Sequence, residues 1–249
     1  MSRSVQRVQL ARAYVLHQRP FRDTSLIVEA FTREHGRLTL FAHAARGPRS
    51  RFTALQPFRA LLLSWSGRGE APTLSAAESA EAGTMLPAFP ATQLLSGFYL
   101  NELLLKLLTR GDPHSELFDL YEATLGELRG AATAEPALRL FEARLLGFIG
   151  YGLNLAAEAD TGKAVRAEAY YHFRPGVHGF VVAEPAAPGA IAGQVLQELS
   201  RGELRGEAQL RAARALMRAA LDHCLEGREL ATRSMARSLA SYPRKQRSG

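Results

Sequence analysis

Cysteine is almost missing from this sequence: Cys224 is the single thiol in 249 residues. That excludes an intramolecular disulfide framework and any structural zinc site needing two or more thiolates, and it fits a reducing cytoplasm. Long apolar runs are missing too. Glycine, proline or charge interrupts every stretch short of the roughly 20 residues a membrane helix requires, and Arg12 breaks the N-terminal run a signal peptide would need. The expectation is a soluble, cytoplasmic chain with no membrane partner.

Catalytic constellations are equally scarce. The stretch DTGKA at 160–164 has the Gly-Lys of a phosphate loop, but Ala157 stands where the first glycine belongs and Ala164 where the magnesium-binding hydroxyl belongs. There is no G-x-S-x-G elbow and no H-E-x-x-H pair, and the seven histidines are scattered without ligand spacing. His223 adjoins Cys224, but neighbours on a helix point about 100° apart, which predicts a packed thiol beside a surface imidazole. Glu122 and Glu127 read as a solvated face rather than an acid/base pair. No catalytic residue, cofactor or metal is expected, and a hydrolase or nuclease would need a metal constellation this sequence does not offer.

What the chain does have is positive charge, unevenly placed. The net charge of +7 divides into +6 over residues 1–86, −5 over 87–200 and +6 over 201–249. Within residues 1–69, twelve arginines face only Asp23, Glu29 and Glu34. Arginine chosen for solubility alone would not leave the middle of the chain acidic, so the basic N-terminal unit points to phosphate or another polyanion.

The first 80 residues read as short strands with turns. Runs at 6–17 and 24–32 are rich in β-branched and aromatic residues, and REHG makes a hairpin turn before RLTLFAHAA. There Leu38, Leu40 and Ala42 alternate with Arg37, Thr39 and Phe41, one face buried and the other partly wet. FRALLLSWSG and APTLSAAESAE follow across a second glycine turn. Five short strands with no long helix between them suggest a small closed barrel such as an oligonucleotide-binding (OB) fold over residues 1–84.

After Pro87 and Pro90 the period changes. A helix at 92–109 is apolar on most of its circumference, as a buried central helix would be. Helices at 115–129 and 135–149 follow, the latter opened by Pro136. A small β hairpin is expected within an insertion at about 153–192, then an amphipathic helix at 207–225 with an arginine stripe (Arg211, Arg214, Arg218), and a final helix near 228–240. These define a second domain at 88–241 and a basic, disordered tail at 242–249. The fold class expected is α+β: an N-terminal five-stranded OB-fold β-barrel followed by a mainly α-helical C-terminal domain with a small zinc-free β hairpin insertion.

Binding nucleic acid without sequence preference needs cations along a groove and rings on which bases stack. Arg22, Arg37, Arg46, Arg49, Arg51, Arg59 and Arg68 supply the charge; Phe21, Phe41, Phe52, Phe58 and Trp65 supply rings, although an aromatic in a small barrel is more often core than platform. The stretch HAARGPRSRF at 43–52 carries the sharpest signal, because a Gly-Pro loop has no fold-internal need for three cations.

Three segments in order, AYVLHQRPFRDTSLIVEAFTREHGRLTLFAHAARGPRSRFTALQPFRALLL, GFYLNELLLKLL and ALRLFEARLLGFIGYGLNL, resemble the RecO family of bacterial recombination mediators from about Ala11 to Leu155. The resemblance implies a non-catalytic role in DNA repair. It implies binding of single- and double-stranded DNA, annealing of complementary strands, engagement of the single-strand-binding protein SSB, and action with RecR to load RecA. It also implies association with the nucleoid. The acidic SSB C-terminal tail ends in a hydrophobic residue, so its receptor should offer an apolar pocket rimmed by arginine. By similarity Arg139 is the rim, with Leu138 and Phe141 beside it; the alternative is that Arg139 simply pairs with Glu135 one turn away. Many family members carry a four-cysteine zinc module after GYGLNL, where this chain has Glu158 and Thr161 in place of the first C-x-x-C. The family often has Lys-Gly-Ala-Arg where this chain has His43-Ala44-Ala45-Arg46. A second reading is a scaffold whose acidic helical middle docks SSB and RecR, with DNA binding incidental.

Overall fold

The computed structural model describes residues 6–47, 50–67, 69, 71–80 and 88–241. They form two compact units, divided after Pro113 and again after Arg228. The tail at 242–249 lies outside the described residues.

The first unit is built on a closed barrel of β1 (Gln6–Phe21), β2 (Ser25–Thr32), β3 (Gly36–Ala42), β4 (Leu61–Gly67) and β5 (Thr73–Ser79), in the spatial order β1-β2-β3-β5-β4. The long first strand makes closure possible. Its first half pairs with β4 and its second half with β2, and the register slips between Val8 and Ala11 and between Val15 and His17. Such bulges bend a strand and re-aim its pairing. At the first, exposed Leu10 takes φ +52°, and its N–H donates to Ser64 Oγ at 3.0 Å. The interior holds Val15, Val28, Leu40, Leu63, Trp65 and Leu74, each less than 4 % exposed.

The same unit includes α1 (Leu94–Leu107) and α6 (Ala231–Ser241). On α1, Leu100, Leu103 and Leu104 are fully buried, and Asn101 Nδ2 donates to Leu16 O at 2.9 Å beside the second bulge, satisfying a carbonyl the ladder leaves over. The expectation of burial around most of the helix fails at its start. Leu94 and Phe98 are 38 % and 43 % exposed, and Phe98 meets the Phe58 ring edge-on at 5.0 Å between centroids.

A carboxylate on α1 anchors α6. Glu102 accepts from Ala231 N (2.8 Å), Thr232 N (2.9 Å) and Thr232 Oγ1 (2.7 Å), doing from another helix what an N-cap side chain does from its own. Burial pushes this carboxyl up, but the hydrogen bonds and Lys106 outweigh it and hold it below the ordinary carboxylate value of 4.5. A depressed folded value means that the anchor is complete above pH 4.5 and is lost as pH falls through that lower value. Glu102→Gln is expected to speed hydrogen exchange of the first α6 amides by a factor of roughly five, about 1 kcal/mol of cap. The gap between variant and wild type should close in acid, and equal exchange at neutral pH would remove the anchor.

The second unit contains α2 (Ser115–Gly130), α3 (Glu135–Phe148), α4 (Gly193–Arg201) and α5 (Glu207–Leu225), with a small sheet ordered β7-β6-β8: β6 (Tyr170–Arg174), β7 (Gly179–Ala183) and β8 (Ile191–Ala192). The expected hairpin is β6–β7; the two-residue β8 is too short to show a period in sequence. Glu158 and Thr161 do not offer thiolates. Thr161 Oγ1 and Tyr171 OH both donate to the Glu158 carboxylate, while Glu158 N donates to Lys163 O at 2.8 Å. A zinc knuckle does not fit these residues, and a hydrogen-bonded turn stands in its place, with DTGKA forming the turn. Cys224 is buried beside exposed His223, and burial pushes its thiol up to about 11.

Candidate nucleic-acid interface

On β3 the alternation places Leu40 and Ala42 in the core and leaves Arg37, Thr39 and Phe41 on the outer face. Phe41 is half-buried. Phe21, at the end of β1, meets it edge-on at 5.0 Å, and the His43 ring lies nearly parallel to it at 6.2 Å and 16°. Three rings therefore line the end of the β2–β3 face, built from two strand ends and the residue that follows.

Cations flank them. Exposed Arg22 sits over the Phe21 ring at 5.3 Å. Arg46 is exposed, and its backbone N–H donates to Thr24 O at 2.9 Å, which fixes the start of the 43–52 loop against the β1–β2 turn. Both segments spend unusual backbone there: Arg22 and Ala44 each take φ +52°. Arg51 is exposed above the Phe52 ring at 5.0 Å.

The other predicted residues divide. Arg59 is half-buried. Arg49 and Arg68 lie outside the described residues. Arg37 is 13 % exposed, its Nη1 lies 3.2 Å from Glu29, and its Nε donates to Leu108 O; burial, against the pull of Glu29, holds its guanidinium below the usual value, though still cationic at neutral pH. Arg110, which sequence reasoning missed, joins the same carboxylate at 2.8 Å. Nothing in a helix-ending TRGD marks it as a partner of β2. Phe52, Phe58 and Trp65 are core residues, 4 %, 2 % and 3 % exposed, so of the rings expected from the sequence Phe21 and Phe41 face outward, joined by His43.

On α3, Leu138, Arg139 and Phe141 are all buried, at 7 %, 5 % and 0 %. Arg139 donates to Glu142 at 2.7 Å and lies 3.9 Å from Glu135. A groove of about 590 Å³ runs along the other face of α3, lined by Leu140, Ala143, Arg144, Gly147 and Phe148 with Leu155 and Leu199. The α5 stripe is paired with acids: Arg211 with Glu207, Arg214 with Glu135, and Arg218 with Asp222 at 3.8 Å.

A closed barrel in this strand order, with rings and arginines where strands 2 and 3 meet the β1–β2 turn, is an oligonucleotide-binding fold. The family model described as Recombination protein O N terminal matches residues 7–82, and that described as Recombination protein O C terminal matches 91–233. The chain is 43% identical over 244 residues to the DNA repair protein RecO of Laribacter hongkongensis, covering 94% of this chain and 96% of that one. It is 44% identical over 237 residues to that of Methylococcus capsulatus (93% and 94%) and over 241 residues to that of Alkalilimnicola ehrlichii (96% and 94%). The chain belongs to the RecO family of DNA repair proteins.

Proposed function

We propose that this protein is a non-catalytic recombination mediator that binds single- and double-stranded DNA, anneals complementary strands, engages SSB and acts with RecR to promote RecA loading. The observation that carries the DNA reading is the half-exposed ring array Phe21–Phe41–His43 flanked by Arg22 and Arg46. Rings accept any base and guanidiniums accept any phosphate, so such a surface holds strands without reading their sequence. Arg51, with Arg49 and Arg68 from the sequence, extends the charge. Arg37 and Arg59 belong less to the contact than to the barrel that supports it.

The SSB tail reading is best supported on the open face of α3, where Arg144 stands in a groove that offers Leu140, Phe148, Leu155 and Leu199 to a hydrophobic end and sets Arg144 against one acid of its own, Glu116. The test of the DNA reading is the salt dependence of single-strand affinity, measured by fluorescence anisotropy. Three to five arginine–phosphate contacts predict a log–log slope of roughly −2 to −4, with little change between base compositions. A flat slope, or strong preference for one sequence, would sink it.

A further inference from the structure

Gly147 is a glycine that the fold itself does not use. It stands in the last turn of α3, and the local reasons for a glycine are missing there. Its φ is not among the positive values of the chain. The helix is closed by Gly150 instead, at φ +83°, with Tyr151 N donating to Leu146 O at 2.8 Å as a left-handed C-terminal cap requires. Nor is the residue crowded. A Cβ on Gly147 would meet nothing within 4 Å beyond the backbone of its own helix, even though the chain returns so close that a Cβ on Gly152 would lie 3.3 Å from the Gly147 Cα. Alanine would suit the helix better, since glycine loses more backbone freedom on folding.

What the missing side chain does is leave the groove open. Leu140, Ala143, Arg144, Gly147 and Phe148 follow the i, i+3, i+4, i+7, i+8 spacing of one helix face, and all five line the groove. On that face Gly147 is exposed, one turn from Arg144 and one turn from Ala143, with Phe148 beside it. Arg144 and Glu116 are the charged groups of the lining, so the groove is neutral as a whole and its selective part is apolar. A hydrophobic group entering it can come closer to α3 at Gly147 than at Leu140 or Phe148, because bare backbone is all it meets there.

We propose that Gly147 is the point of closest approach in this groove: the hydrophobic end of the SSB tail lies on its bare backbone, beside Phe148, with Arg144 one turn away from it. The proposal rests on the reading that the SSB tail docks in this groove, and it adds which residue receives the end of the tail.

Gly147→Ala is expected to leave the denaturant midpoint of unfolding at or above the wild-type value and yet to weaken binding of the SSB tail peptide roughly tenfold by fluorescence anisotropy, because one added methyl overpacks a fitted site. Gly126→Ala is the control. Gly126 lies within α2, exposed, equally uncrowded and outside the groove lining, so its replacement should leave the peptide affinity unchanged. A peptide lacking its last residue has lost the end that Gly147 receives, and it should bind weakly and equally to wild type and Gly147→Ala. A lower midpoint for Gly147→Ala makes the glycine structural and overturns the proposal. So does unchanged affinity for the full peptide when the wild type binds it, or an equal loss with both peptides. If the wild type does not bind the peptide at all, the reading of the groove falls, and the role of Gly147 falls with it.

Discussion

Replacing Arg46, Arg49 and Arg51 together by glutamate is expected to slow annealing of complementary strands on the order of 100-fold at low salt, with a matching loss of single-strand affinity. The size follows from turning three attractions into three repulsions in one loop. The loop cannot easily evade the change at its start, where Arg46 N is tied to Thr24 O at 2.9 Å. Arg46 and Arg51 are both exposed and neither has an acidic side chain within ion-pair distance among the described residues. Arg49 lies outside the described residues and enters the variant on its place in the sequence. The control is the triple reversal of Arg211, Arg214 and Arg218, whose charges Glu207, Glu135 and Asp222 already offset. Annealing should suffer much less from it. Wild-type annealing by the loop variant, or equal damage from the α5 variant, would take the loop out of the interface.

The contrast between these arginine groups shows where sequence is a sufficient guide. Glu207–Arg211 and Arg218–Asp222 are one helical turn apart and legible as pairs. Arg214 meets Glu135, 79 positions earlier, and nothing local announces it. The barrel follows the same division. Alternation along β3 sets Leu40 and Ala42 inward and Phe41 outward, as periodicity requires. It gives Arg37 the same outward direction as Phe41, yet Arg37 is covered by Leu108–Gly111 and neutralised by Glu29, while Phe41 stays half-exposed. Period two fixes the side of a strand; the segment that crosses that side is decided by tertiary packing. The apolar circumference of α1 failed for the converse reason: leucine and phenylalanine content promised burial, but among the described residues Leu94 and Phe98 stay exposed, because composition does not say which neighbours a helix start meets. His43 illustrates a third limit. In sequence it was a departure from Lys; in the structure its ring continues the Phe21–Phe41 array, a role set by strand-end geometry.

Arg139→Ala is expected to cost about 3 kcal/mol of stability, because it removes the 2.7 Å partner of a Glu142 carboxylate that is 1 % exposed. Most of that cost comes from losing a cation beside so deeply buried a carboxylate. Replacing both members by apolar residues, Arg139→Met with Glu142→Leu, should recover most of the loss, since an ion pair so deeply buried repays little more than its own desolvation. Denaturant unfolding of the two variants measures this directly. It also bears on the SSB tail. A drop in affinity for an acidic tail peptide on Arg139→Ala alone would mix a binding role with a damaged helix. The double variant separates them: it restores the packing of α3 without restoring the cation. If the peptide docks in the groove on the other face, the double variant binds it normally and Arg144→Ala binds it several-fold more weakly. If the double variant folds well and still fails to bind while Arg144→Ala is silent, Arg139 is the rim after all, and the guanidinium must exchange Glu142 for the peptide's carboxylate.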